Sequence, residues 1–125
     1  MVSPQNKEEM RMRIRSLKNH RYANCGHYVD GINGEEGFIS YNTKVIIIRH
    51  GRVIYTGKYS STTSRQLSWW LEEHEKDVWG LNKKTLALMY KEHLAYNACT
   101  GELESLTKDE EQEIAEIRYE TGIGY

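Results

Sequence analysis

Few side chains in this sequence combine reactive chemistry with useful spacing. His20, Cys25 and His27 fall within eight residues and form the grouping most like a metal site. Zinc takes four nitrogen or sulfur ligands in a tetrahedron, usually from paired cysteines or histidines. The fourth ligand here would have to be His50, His74, His93 or Cys99. Ordinary loop and core packing is the plainer reading of all three residues. Cys25 as a nucleophile would need a neighbouring base and a lowered pKa. No motif supplies either, and reduced thiols are expected for both cysteines.

The charged residues offer binding rather than bond-making. Arg11, Arg13, Arg15, Lys18 and Arg21 could contact phosphates, or could be the solvated face of an amphipathic helix. Thr62, Thr63, Ser64 and Arg65 stand where a helix begins, and free amides there favour an anion. Plain helix capping explains the same residues. Glu111, Glu113 and Glu116 lie in a dense acidic run that could meet a basic surface. Residues 1–65 hold 11 Lys/Arg against 5 Asp/Glu, and residues 66–125 hold 6 against 13, so a net charge of −1 hides two opposed halves. Either half could meet a partner, or the acidic half could fold back on the basic one. The glycine-rich stretch 31–37 is too acidic to cradle phosphate and lacks the Lys and Ser/Thr of a phosphate loop.

These residues need elements to position them. Ser3 and Pro4 suit a helix start, and Met10, Ile14 and Leu17 follow at helical spacing, predicting a helix over 4–20. A sheet is expected over 27–57. His27 to Gly31 reads as an edge strand and residues 37–41 as a further strand. Residues 44–49 and 52–56 form a hairpin turning at His50-Gly51. Three more helices are expected at 64–79, 83–97 and 108–119. Thr63 with Gln66 fits a capping box for the first, with Ser61 or Thr62 as alternative caps; Thr107 with Glu110 fits one for the last. Leu67, Trp70, Leu71, His74 and Val78 make one buried stripe. Trp69 lies off it, to pack on a second element or face a partner.

Ser40-Tyr41-Asn42-Thr43, the apolar hairpin, and Tyr59-Ser60-Ser61-Thr62-Thr63-Ser64-Arg65 carry a family likeness. This passage resembles a group of small uncharacterised proteins of bacteriophages and related mobile elements. Their shared wording is roughly SYxT, strand, turn, strand, then YSxTTSR or TTSK. Gln66 stands where many members carry His. The resemblance implies a phage context; it implies no activity, cofactor or catalytic residue.

At 125 residues, with 38% hydrophobic and 28% charged residues, the chain fits one soluble domain. The expected fold class is α+β: a small antiparallel sheet of three to four strands packed by about four helices. No apolar run is long enough for a membrane span, and the start lacks a signal-peptide core, so the bacterial host's cytoplasm is the expected location. With no catalytic, nucleotide or metal motif, a non-enzymatic role without cofactor is expected. The leading expectation is an accessory protein that binds a host or phage protein, with inhibition of a bacterial defence nuclease as one version. Direct nucleic-acid binding is the alternative. A third is self-association, through Trp69 or the 83–97 helix.

Overall fold

The β-branched run Val45 to Ile48 forms the middle of β4 (Thr43–Arg49), which turns at His50-Gly51 into β5 (Arg52–Tyr55). Both turn residues take positive φ, 53° and 77°, as a two-residue hairpin requires. The computed structural model describes residues 12–20, 23–57 and 60–120. Around this hairpin lie β1 (Arg13–Ser16), β2 (Cys25–Asp30) and β3 (Glu35–Ser40) on one side. β6 (Leu94–Asn97) and β7 (Glu102–Ser105) lie on the other. The result is one seven-stranded sheet in which every neighbour is antiparallel and follows the chain order. Three helices are described: α1 (Ser61–Glu73), α2 (Lys83–Glu92) and α3 (Lys108–Glu120).

Alternating side chains send each strand's residues to two faces. One face is covered by α1 and α2. Phe38, Ile46, Val53 and Tyr96 of the sheet pack there against Leu67 and Trp70 of α1 and Leu86 and Met89 of α2. Each such buried side chain contributes about 1.5–3 kcal/mol. A register shift at Phe38/Ile39 leaves Val45 unopposed, so Val45 and Ile46 both join this core. The other face is thinner. Ile47, Ile54 and Ala95 meet Leu106 and, from α3, Ile114 and Ile117.

The architecture corrects the expected one. The sheet has seven strands rather than three or four, and three described helices accompany it. Residues 13–16, expected to be helical, form β1; residues 4–11 lie outside the described residues. Ile14 is 54% exposed and Leu17 is buried just past the strand, so their spacing marks two different environments. β2 is consequently interior and not an edge. The helix expected over 83–97 stops at Glu92 because His93 adopts a left-handed φ of 58°, and the next four residues pair with β5 as β6. α1 begins earlier than expected. Its cap is Ser60, whose hydroxyl accepts from the Thr63 amide at 3.3 Å. The Thr107/Glu110 capping box forms as expected, with reciprocal bonds of 2.8 and 3.1 Å.

Candidate functional site

The two halves of the Ser40 and Thr63 wording meet in space. Ser40 ends β3 with its hydroxyl buried, donating to Gln66 Oε1 at 2.6 Å and lying 3.3 Å from Thr63 Oγ1. Thr63 in turn contacts the Ser60 cap. These hydroxyls latch α1 to the sheet, and Gln66 serves the latch rather than a capping box. Thr62, Ser64 and Arg65 remain exposed on the first turn of α1, and Lys83 Nζ donates to Ser64 Oγ at 2.9 Å.

Beside the latch lies a buried aromatic and imidazole stack. Trp70 Nε1 donates to His27 Nδ1 at 3.0 Å, which places the His27 proton on Nε2, 3.7 Å from Glu36. His74 stacks on His27 with centroids 4.2 Å apart. His74 Nδ1 lies 3.0 Å from Asp77, and Nε2 lies 3.0 Å from Glu73 without hydrogen-bond alignment. Burial, then the His74 and Arg15 charges, lower the His27 pKa to about 4. Each of the four ring nitrogens faces a protein group, so this cluster reads as packing.

The expected metal grouping separates. His20 stacks on Trp69 at 3.7 Å, Cys25 is buried in the core with its thiol pKa raised by that burial, and His27 is held by Trp70. No cluster of three or more His, Cys, Asp or Glu that could hold a metal occurs among the described residues. Trp69 is half-buried on His20. Arg13 and Arg15 lie exposed on β1 and Lys18 on the turn after it; Arg11 and Arg21 lie outside the described residues. They do not share a basic helix where the chain is described.

On the far face an ion-pair network fastens α3. Glu35 is almost fully buried. It accepts from Tyr28 Oη at 3.0 Å, Lys44 Nζ at 2.7 Å and Arg49 at 2.8 and 3.0 Å. Burial would raise its pKa, but the Lys44 and Arg49 hydrogen bonds outweigh that and hold it below the ordinary value. Arg49 then reaches Glu113 at 2.8 Å, while Arg52 binds Glu110 at 2.6 Å and Glu104 at 2.6 Å. The acidic half of the chain thus folds back on the basic half. Near the end of α3, buried Arg118 donates to Thr56 O at 3.1 Å and sits over the Tyr90 ring.

This fastening divides the acidic residues of α3. Glu110 and Glu113 face the sheet and are bonded to Arg52 and Arg49. Asp109, Glu111, Glu116 and Glu120 are exposed, with Tyr119 84% exposed among them. Glu111 touches only exposed His93, at 3.1 Å, and Glu116 only Gln112, at 3.2 Å, among the contacts described. Of the three glutamates singled out in the sequence, two stand on this outward face and one does not. Tyr119, 84% exposed, escaped the sequence reading because a lone aromatic among polar residues carries no periodic signal, and Trp79, 74% exposed, because its apolar neighbours Val78 and Leu81 suggest packing.

Among the described residues no helix is long and apolar enough to cross a membrane. No curated protein and no solved structure matches the chain. One family model, described as a family of unknown function (DUF8033), matches residues 11–86, a stretch that contains both halves of the Ser40–Thr63 latch. The match spans more than half of the sequence, and the chain belongs to that family.

Proposed function

We propose that the protein is a small phage or mobile-element accessory protein that works by binding another protein through the outward face of α3. One observation carries this reading. The sheet's arginines neutralise Glu110 and Glu113, yet Asp109, Glu116 and Glu120 meet no described cation and Glu111 meets only the exposed His93, on a helix that also exposes Tyr119. Tyrosine is over-represented among residues that dominate interface energetics, and carboxylates on a rigid helix suit a basic groove. Inhibition of a bacterial defence nuclease is the concrete version: the helix would occupy a nucleic-acid channel in place of phosphates. The phage context, and with it the host cytoplasm, comes from the SYxT and YSxTTSR wording. Glu111 and Glu116 would make the contacts, whereas Glu113 would act only by seating the helix. The test is capture of a partner from nuclease-treated bacterial lysate by the tagged chain, repeated with a Glu111→Gln/Glu116→Gln variant. Loss of capture by the variant is expected; a partner retained equally by both forms removes α3 from the reading.

A second reading, direct nucleic-acid binding, is favoured by the Lys83–Ser64 contact, which brings the Lys83 ammonium beside the exposed start of α1, where Thr62 and Arg65 also stand. It predicts affinity for DNA or RNA that falls steeply with salt. No binding at low salt would end it.

A further inference from the structure

A cavity of about 210 Å³ lies where the starts of α1 and α2 meet the sheet. Buried Val45, Leu67 and Leu86, with half-buried Tyr55, make its floor and walls. Exposed Ser64, Lys83 and Ala87 make its mouth. Folded interiors hold few voids larger than a water molecule. An apolar cavity of about 150 Å³ takes up benzene, so this one has room for a ring or a branched chain of similar size. The polar groups gather at the mouth. Lys83 Nζ donates to Ser64 Oγ at 2.9 Å, and Ser64 uses an oxygen lone pair there, so its own proton remains for an acceptor. Thr63 also lines the cavity, but its hydroxyl is engaged with Ser40 and Ser60 in the latch. Lys83 is the one charged side chain among the described residues of the lining. Its described partner is that neutral hydroxyl, and neither α1 nor α2 carries an acid in its first turn.

We propose that this cavity binds a small monocarboxylate with a compact apolar body. The body fills the space over Val45, Leu67 and Leu86. The carboxylate sits at the mouth, where it accepts from Lys83 Nζ and Ser64 Oγ. Three features select that class. The volume of about 210 Å³ is too small for a nucleotide. The apolar floor would stay unfilled under a bare inorganic anion. A cation at the mouth, with no carboxylate among the described lining residues, repels an ammonium and favours a single negative charge. Hydrogen bonds from a charged donor to a carboxylate are roughly twice as strong as neutral ones. The site shares no residue with the outward face of α3, so it is independent of the partner-binding reading. It shares Lys83 and Ser64 with the nucleic-acid reading. The apolar body tells those two apart, because phosphate alone would serve nucleic-acid binding.

Titration of the isotope-labelled full chain with benzoate, isovalerate, benzyl alcohol and inorganic phosphate, followed through its amide NMR signals, tests it. At least one of the two carboxylates, at millimolar concentration or below, should move the amides of residues 63–67 and 83–87 together with those of Val45 and Tyr55. The tighter of the two tells a ring from a branched chain. Benzyl alcohol, which has the ring without the charge, should bind about tenfold more weakly than benzoate. Phosphate should not displace either carboxylate. Lys83→Gln should weaken carboxylate binding about tenfold and leave benzyl alcohol unchanged. Ala87→Phe, at an exposed position on the mouth, should block the cavity and abolish the shifts at Val45. The amide spectrum of each variant reports its folding, and Ala87→Phe serves if Lys83→Gln does not fold. The proposal is overturned if neither carboxylate moves these amides, or if phosphate displaces the carboxylate. It is equally overturned if benzyl alcohol matches benzoate, or if the folded variants bind carboxylate as the wild type does.

Discussion

Mild acid should unfold this protein more readily, and the His27–Trp70 hydrogen bond is the reason. His27 is buried and uses Nδ1 as an acceptor for the indole N–H, so a proton on that nitrogen would set two donors against each other. The folded pKa is about 4, whereas an unfolded histidine titrates near 6.5. Between those values the unfolded chain holds the extra proton, so stability is fully present above about pH 6.5 and falls as pH drops towards 4. The gap is worth about 3 kcal/mol in full, and solvent screening on the Glu36 side brings it nearer 2 kcal/mol. Glu35 and Glu110 also have lowered pKa values, but their contribution is lost only as pH falls below the ordinary carboxylate range. The window from pH 6.5 to 5 is therefore dominated by His27 among these groups. Urea unfolding followed by tryptophan fluorescence, at steps between pH 7 and pH 5, gives the profile. A His27→Gln variant can still accept from Trp70 but cannot titrate, so it should start less stable at pH 7 and show a flatter profile. A wild-type midpoint that does not move over this window would refute the reasoning, as would an equal slope in the variant.

Further outcomes follow from the same contacts. Ser40→Ala should cost about 2 kcal/mol by leaving buried Gln66 Oε1 without its donor, read from the urea midpoint. Ser60→Ala should cost about 1 kcal/mol through loss of the α1 cap. Glu113→Gln should destabilise by about 1–2 kcal/mol because the half-buried Arg49 loses a charged partner, while Glu116→Gln, at an exposed position, should leave stability within about 0.5 kcal/mol of wild type. Gly57→Ala should cost more than about 2 kcal/mol. Gly57 has φ of 126°, and an added Cβ would lie 2.1 Å from Arg118 Nη1.

The middle of the fold was legible because local rules and tertiary packing agree there. The isoleucine run, the His50-Gly51 turn and the Thr107/Glu110 box all state their structure locally. The misread elements are those where packing decides. Met10, Ile14 and Leu17 match a helical period as well as anything, but pairing with β2 draws residues 13–16 into the sheet. Leu94 continues the α2 stripe in sequence, and only the left-handed turn at His93 and the open side of β5 make it a strand. β7 reads Glu-Leu-Glu-Ser, with one apolar residue, and owes its existence to β6. Of the candidate site residues, the acidic run of α3 was visible as composition. Its division into bonded and outward glutamates depends on Arg49 and Arg52, which sit more than fifty residues away.

That division also separates the part of the chain that defines the family from the part proposed to read a partner. The family match ends at residue 86, so it contains Ser40, Thr63, Gln66, Glu35 and Arg49, and stops before β6, β7 and α3. The latch and the buried carboxylate with its cations thus belong to the matched region, while Glu111, Glu116 and Tyr119 lie beyond it. Changes at the latch should lower stability and take binding down with it as the folded fraction shrinks. Changes at Glu111 and Glu116 should remove partner capture at unchanged unfolding midpoint, since both side chains are exposed. Measuring both quantities on the same variants discriminates the two roles. A Ser40→Ala chain that remains mostly folded yet loses all capture would move the binding surface from α3 to the start of α1, where Thr62, Ser64 and Arg65 are exposed.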